Sequence, residues 1–446
     1  MDRPQHPFTV GHRDVWAIAV PASLAFITEP LAGLIDTAVI GQLGDAGLLG
    51  GLALGAVSFS VLFALSFFLR FGTVGLVSQA VGARDPDEGL LHLVRALLVA
   101  VILGVLLVAL SGPLHAFFSL VLAPPPASRA AFTDYFLVRM WSTPFVLINF
   151  VLLGWFYGRA RALVGMALQI IINAINIALS ILLVLVLDWG VVGVAAATVA
   201  GQVVACLAGL WLVLRHYGGL GPILDRTPLP ALLDASALVR MFSISRDLII
   251  RSAALMSAFA YFSAQGARMG EVELAANAVL LQLFSISAFF LDGLATATEQ
   301  LCGRAVGANW RPAFEKATRL SLLWGLAIAG ALSAVLMSMG WLAIDIMTTN
   351  PDVREMARVY LVMAALTPLT GMPAFVYDGL MIGATLNGTM RNGMVVSLLV
   401  YLAVAIILQP ILGLWGLWIA LHVLLIGRAF YYAWAIRREL PRLFTP

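Results

Sequence analysis

The sequence predicts an all-α polytopic membrane protein, with twelve transmembrane helices in two pseudo-symmetric six-helix lobes. Three observations predict it. Of 446 residues, 61% are hydrophobic and only 11% charged, where soluble domains carry about 25% charged residues. Apolar runs of about 18 residues or more, long enough to cross a bilayer, recur along almost the whole chain. The same short stretch also returns at a fixed spacing. Ser78-Gln79-Ala80-Val81-Gly82-Ala83-Arg84 is matched by Gly303-Arg304-Ala305-Val306-Gly307-Ala308-Asn309, an offset of 225 residues (307 minus 82). The turn from Gly41 to Asp45 corresponds to Gly266–Glu271 at almost the same offset. Six spans per half is an even number, so both halves enter the membrane in one orientation, the parallel-repeat architecture of some secondary transporters.

The elements follow in order. Helix 1 is expected at roughly 15–41, helix 2 at 48–80, helix 3 at 89–119, helix 4 at 130–157, helix 5 at 161–187 and helix 6 at 190–215. Helix 7 is expected at roughly 244–267, helix 8 at 272–302, helix 9 at 313–347, helix 10 at 353–383, helix 11 at 390–410 and helix 12 at 412–436. The first lobe is then 1–217, a proline-containing linker 218–243, the second lobe 244–437, and a basic tail 438–446. Pro30, Pro144, Pro368 and Pro373 are the expected kink sites. Helix 1 is too long and too polar on one face for a cleaved signal peptide, and is expected to be retained. One set of loops holds Arg84, Arg159, Arg161, Arg226, Arg304, Arg311, Lys316 and Arg391, while the opposite set is mixed or acidic. By the positive-inside rule both termini are expected in the cytoplasm.

Polar residues inside the spans carry the functional argument. Helix 1 holds Glu29 and Asp36, and an ionisable group at mid-bilayer costs about 2.5–3.5 kcal/mol even on a lenient scale. Moving Asp36 by the repeat offset lands on Tyr261 or Phe262, so the second half has no equivalent acid. Helix 5 carries Gln169, Asn173, Asn176 and Ser180 as a stripe down one face, and helix 6 carries Thr198 and Gln202. Gln169 and Gln202 read as interhelical hydrogen bonds worth about 0.6 kcal/mol each. Asn173 and Asn176 are expected to share a cavity with Asp36, where amide oxygens accept a hydrogen bond from a protonated acid or ligate a hard cation. In the second half Asp378 on helix 10 is the best functional acid, with Asp292 on helix 8 a second candidate; Arg70, Arg246 and Arg251 read as structural. Cys206 and Cys302 read as small core residues. There is no phosphate-binding loop, no cluster of His and Cys at metal spacing and no nucleophile elbow. That excludes the common enzyme and metal-site classes, and nothing points to nucleic acid. Energy for transport would come from an ion gradient, with no cofactor beyond H+ or possibly Na+ as the coupling ion.

GLIDTAVIGQLG in helix 1, LRFGTVGLVSQAVGARD after helix 2, SRDLIIRS opening helix 7, the helix 8 stretch ending TEQLCGRAVGA, and FVYDGLMIGAT in helix 10 together resemble the multidrug and toxic compound extrusion (MATE) family, most closely its DinF branch. The resemblance covers nearly the whole chain. It implies twelve helices in two lobes around a central cleft, and cation-coupled export of cationic or amphipathic compounds across a bacterial inner membrane by a monomer. It also aligns Asp36 with the family's coupling aspartate, Asn176 and Thr198 with cation-site residues, and Ser180 with a position where many relatives have a second aspartate. That departure favours proton coupling through Asp36, with Glu29 as a modulator. Sodium coupling and a lipid-linked flippase remain the alternatives.

Overall fold

The computed structural model describes residues 4–444, with the side chain of Glu29 outside the described set. The chain is helical throughout: α1 (His12–Gly41), α2 (Ala46–Ser66), α3 (Phe68–Gly82), α4 (Pro86–Ala109), α5 (Ser111–Leu122), α6 (Pro126–Met140), α7 (Thr143–Gly158), α8 (Ala162–Ile181), a π turn (Leu182–Val186) and α9 (Gly190–Tyr217). Two short helices follow, α10 (Leu220–Arg226) and α11 (Leu229–Leu232). The second half is α12 (Ala235–Met269), α13 (Glu271–Gly307), α14 (Arg311–Met347), α15 (Pro351–Gly383), α16 (Asn387–Leu412) and α17 (Leu414–Leu443).

The repeat is written into the helix ends. Gly82 and Gly307, Leu122 and Met347, and Gly158 and Gly383 close corresponding helices at the offset of 225, and Pro86 and Arg311, Pro126 and Pro351, and Ala162 and Asn387 open them. The residues that turn the chain match as well. Left-handed φ occurs at Arg84 (57°) and Asn309 (47°), at Ala160 (58°) and Thr385 (54°), and at Asp188 (54°) and Gly413 (57°), three pairs with the same spacing. A left-handed residue just past a helix satisfies its last carbonyls and stops it. The spans of the two halves therefore pair as α1 with α12, α2–α3 with α13, α4–α5 with α14, α6–α7 with α15, α8 with α16 and α9 with α17, which gives twelve.

Local chemistry sets the starts. Asp45 caps α2 by accepting from the backbone N–H of Gly47 at 2.7 Å and Leu48 at 3.3 Å. Asp85 does the same for α4 through Glu88, with Pro86 at the first helical position. Asn350 and Pro351 repeat the arrangement at α15. Asp234 accepts from Ala237 N at 2.8 Å, so α12 begins at Ala235, inside the stretch expected as linker. Where helix 4 was expected whole, α6 and α7 meet at a bend of 51° beside Pro144; α1 runs through Pro30 and α15 through Pro368 and Pro373 without a break.

Among the described residues, ten helical spans are long and apolar enough to cross a membrane, and the α6–α7 pair makes an eleventh. The twelfth position is α12, which is long enough but carries Arg240, Arg246, Asp247 and Arg251. Side chains such as Ile102, Val105, Leu399 and Ile406 are exposed, as suits helices whose outer faces meet lipid tails rather than water.

The chain divides into two compact units. One comprises Leu24–Val77 and Asp85–Met241, the other Met1–Ser23, Ser78–Arg84 and Phe242–Pro446. The first is packed around Ile40, Leu52, Phe59, Phe132, Tyr135, Phe136 and Val194. The second is packed around Phe262, Leu280, Tyr401, Leu417, Trp418 and Leu421. Two of its buried aromatic tips are satisfied: Trp418 Nε1 donates to Asn277 Oδ1 at 3.0 Å, and Tyr432 Oη to the Met390 carbonyl at 3.0 Å.

Candidate ion-coupling site

Asp36 lies on α1 within the unit that also contains α8 and α9, and only 8% of it is exposed. Its partners are neutral. Ser180 Oγ donates to Asp36 Oδ1 at 2.7 Å, and Asn176 Nδ2 reaches Oδ2 at 3.5 Å. The same amide donates to Thr198 Oγ1 at 2.9 Å, and that hydroxyl donates in turn to the Val194 carbonyl at 3.1 Å. The contact between α8 and α9 depends on Gly201, where a Cβ would meet the Ile172 carbonyl oxygen at 2.6 Å. Close backbone approach is what lets short side chains such as Asn176 and Thr198 bond across membrane helices. Immediately after Ser180 and Ile181 the helix widens into the π turn, a distortion that frequently accompanies functional sites.

Three of the residues expected near Asp36 therefore gather there: Asn176, Ser180 and Thr198. Asn173 is turned elsewhere. Its Nδ2 donates to Thr28 Oγ1 at 2.7 Å, two turns before Asp36 on α1, so it ties α8 to α1 rather than touching the acid. The side chain of Glu29 lies outside the described residues. Gln202 bonds Asn149 through both its side-chain and backbone oxygens, at 2.8 and 3.0 Å.

Among the described residues, no cation lies within ion-pair distance of Asp36. Tyr135 and Arg139 of α6 belong to the same unit, and the sequence marks Arg139 only as a cation within a span. Arg139 acts on Asp36 electrostatically at longer range, while its guanidinium bonds Tyr135 Oη and sits 5.0 Å from the Phe59 ring centroid. The hydrogen-bonding inventory at Asp36 is thus one carboxylate, two hydroxyls and one amide, and the amide oxygen of Asn176 is buried without a partner. Oxygen donors suit a proton or a hard cation. No cluster of three His, Cys, Asp or Glu residues occurs among the described residues.

The second-half acid behaves differently. Asp378 Oδ2 accepts from Arg251 Nη2 at 2.6 Å, and Arg428 Nη1 lies 3.6 Å away. Asp378 is therefore the centre of a buried ionic cluster, with both arginines on the side of Oδ2. Arg428 had no signal beyond being a lone charge in the apolar run of α17. Asp292 is half-buried on α13, and its backbone carbonyl accepts from Thr296 Oγ1 at 2.9 Å. Asp247 is paired too, with Arg246 at 3.0 Å and Arg391 at 2.7 Å. Arg70 is stacked among Phe26, Phe71 and Tyr157 rings at 4.8, 4.8 and 5.7 Å.

The MatE family model matches the chain twice, over residues 21–182 and 248–411, once in each half. The chain belongs to the MatE family. It is 34% identical to DNA damage-inducible protein F of Escherichia coli, with 97% of this chain and 93% of that protein aligned. It is 28% identical to the probable multidrug resistance protein NorM of Caulobacter vibrioides, over 82% of this chain and 78% of that one. A crystal structure of MATE in the straight conformation superposes with a TM-score of 0.88 at 19% identity, covering 97% of this chain and 96% of that one; at that identity the likeness establishes the fold alone. As a MATE protein it is a multi-pass membrane protein from a family of transporters, which move small molecules. The two family-model matches fall on the two structural repeats.

Proposed function

We propose that this MATE protein is a secondary active exporter that exchanges protons, carried by Asp36, for cationic or amphipathic small molecules by alternating access. The observation that carries the reading is the state of Asp36: buried and, among the described residues, bonded only by neutral side chains and without an ion pair, whereas Asp247 and Asp378 are each paired with two arginines. A carboxyl group in that setting is free to exchange a proton without breaking a salt bridge. Ser180 supports protons over sodium, because a hard metal cation favours sites with several oxygens and more than one carboxylate. One charge moving through about 150 mV releases about 3.5 kcal/mol, enough for a substrate gradient of a few hundred-fold.

Export as the direction of transport is supported by a relative named for multidrug export, MepA of Staphylococcus aureus. The excess of arginine in the loops that contain Arg84, Arg159, Arg304 and Arg391 supports a bacterial cytoplasmic membrane location with both termini inside. The test is reconstitution in liposomes with proton and sodium gradients imposed separately, read with fluorescent cationic dyes. The parent protein is expected to transport with a proton gradient alone, and Asp36→Asn to remain folded but inactive. Transport that follows a sodium gradient at fixed pH would replace the proton by sodium. Proton-driven transport by Asp36→Asn would remove Asp36 from the mechanism.

A further inference from the structure

The repeated stretch that marks the two halves has a structural role of its own. Ser78–Arg84 belongs to the same compact unit as α13 and α15, apart from the remainder of α3. Within that unit the two copies of the repeat meet, and they meet reciprocally. A Cβ placed on Gly82 would strike the backbone of Arg304 and Ala308, and a Cβ placed on Gly307 would strike the backbone of Gln79. Residues 82 and 307 are counterparts at the repeat offset, and so are 79 and 304. Each glycine therefore covers the counterpart of the residue that covers its own mate, the pattern of an isologous contact about a two-fold axis.

Polar contacts fasten the pair. Gly303 leaves room for the Ser78 side chain, which is fully buried. Gln79 Nε2 donates to the Gly383 carbonyl at 2.9 Å and to Thr385 Oγ1 at 3.2 Å. Thr385 is held at φ +54°, a left-handed conformation that a β-branched residue seldom adopts, and such strain persists where the surroundings over-determine it. A backbone contact this close is engaged or parted, with little between, because packed interfaces do not deform continuously. The arginines of both copies, Arg84 and Arg304, place the contact at the basic end of the molecule.

We propose that Gly82 and Gly307, fastened by Gln79 on Gly383 and Thr385, form a gate at the basic end that is closed in this structure and must part once in each transport cycle. The proposal rests on the transporter reading and on none of the coupling chemistry at Asp36. Its test uses the full chain with Cys206 and Cys302, its free cysteines, replaced by alanine. Gln79→Cys and Thr385→Cys are introduced together and joined by a short, reducible bis-methanethiosulfonate cross-linker. Dye efflux is expected to stop on cross-linking and to return on reduction; undiminished efflux by fully cross-linked protein would overturn the gate.

A second arm needs no transport. Ser78→Cys is labelled with a membrane-impermeant maleimide in detergent-solubilised protein. Gly82→Ala or Gly307→Ala is expected to raise the labelling rate about ten-fold or more, the effect of forcing one methyl group into a close-packed contact. The two alanines together should add little to the larger single effect, because both open one contact. Unchanged labelling, or effects that multiply, would contradict the reciprocal gate. If the parent with only Cys206 and Cys302 replaced by alanine moved no dye under any gradient, the transporter reading would fail while the labelling arm still decided the contact.

Discussion

Ser180→Asp turns the one-carboxylate site into a two-carboxylate site and tests the coupling argument from the side of the ion. Ser180 Oγ lies 2.7 Å from Asp36 Oδ1, so an aspartate there brings two carboxylates within about 4 Å. Two like charges at that distance repel by about 4 kcal/mol at an effective dielectric constant of about 20. The variant also loses a hydrogen bond to a charged group, worth about 1.5–3 kcal/mol. A bound cation removes the repulsion, and a ligand at a hundred times its dissociation constant stabilises the folded state by about 2.7 kcal/mol. The assay is thermal unfolding of purified protein in detergent at a pH of about 9, above the range in which paired carboxyls share a proton, with sodium chloride exchanged for choline chloride at constant ionic strength. The parent is expected to unfold at one temperature in both salts. Ser180→Asp should unfold earlier in choline and recover in sodium. A variant as stable as the parent in choline, and indifferent to sodium, would refute the placement of Ser180 against Asp36 and the ion argument built on it.

Other consequences are separable from that one. Asn176→Ala should impair proton-driven efflux, whereas Asn173→Ala removes only the bond to Thr28, worth about 0.6 kcal/mol, and should leave the proton dependence of efflux unchanged; equal losses of efflux in the two would contradict the division of the stripe. Asp378→Asn leaves Arg251 and Arg428 buried without their acid and should destabilise the protein by about 3–5 kcal/mol, with partial recovery when Arg251→Met is added. A normally stable Asp378→Asn protein with abolished transport would assign that acid to coupling instead. Arg95 Nη2 and Nε hold the carbonyls of Ala231 and Leu232 at 2.5 and 3.3 Å. Arg95→Ala should release α11 and speed proteolytic cleavage around residues 227–234; an unchanged cleavage pattern would show that other contacts hold the linker.

The repeat and the span count were legible because turn chemistry is local: Asp–Pro and Asn–Pro starts and the matched left-handed ends sit at fixed spacing whatever the tertiary context. The breaks at Leu110 and at Trp141–Ser142 each have a proline two or three residues on, Pro113 and Pro144, whereas the break at Phe67 has none and was not legible. Asp36, Asn176, Thr198 and Ser180 were legible as polar residues at helical spacing in apolar runs. Asn173 shares that face by periodicity, yet a shift of three residues along α8 was enough to change its partner from Asp36 to Thr28. The pairing of Asp378 with Arg251 and Arg428 joins three helices distant in sequence, and no spacing rule within one helix connects them.

The central claim is that Asp36 carries the proton exchanged for substrate. It is tested most directly by proton release on substrate binding, measured with a pH indicator in weakly buffered, detergent-solubilised protein. About one proton per bound dye cation is expected from the parent, because binding of the cation and protonation compete for one carboxylate. Asp36→Asn should release none, even at dye concentrations that saturate any remaining binding. Undiminished proton release from Asp36→Asn would contradict the account.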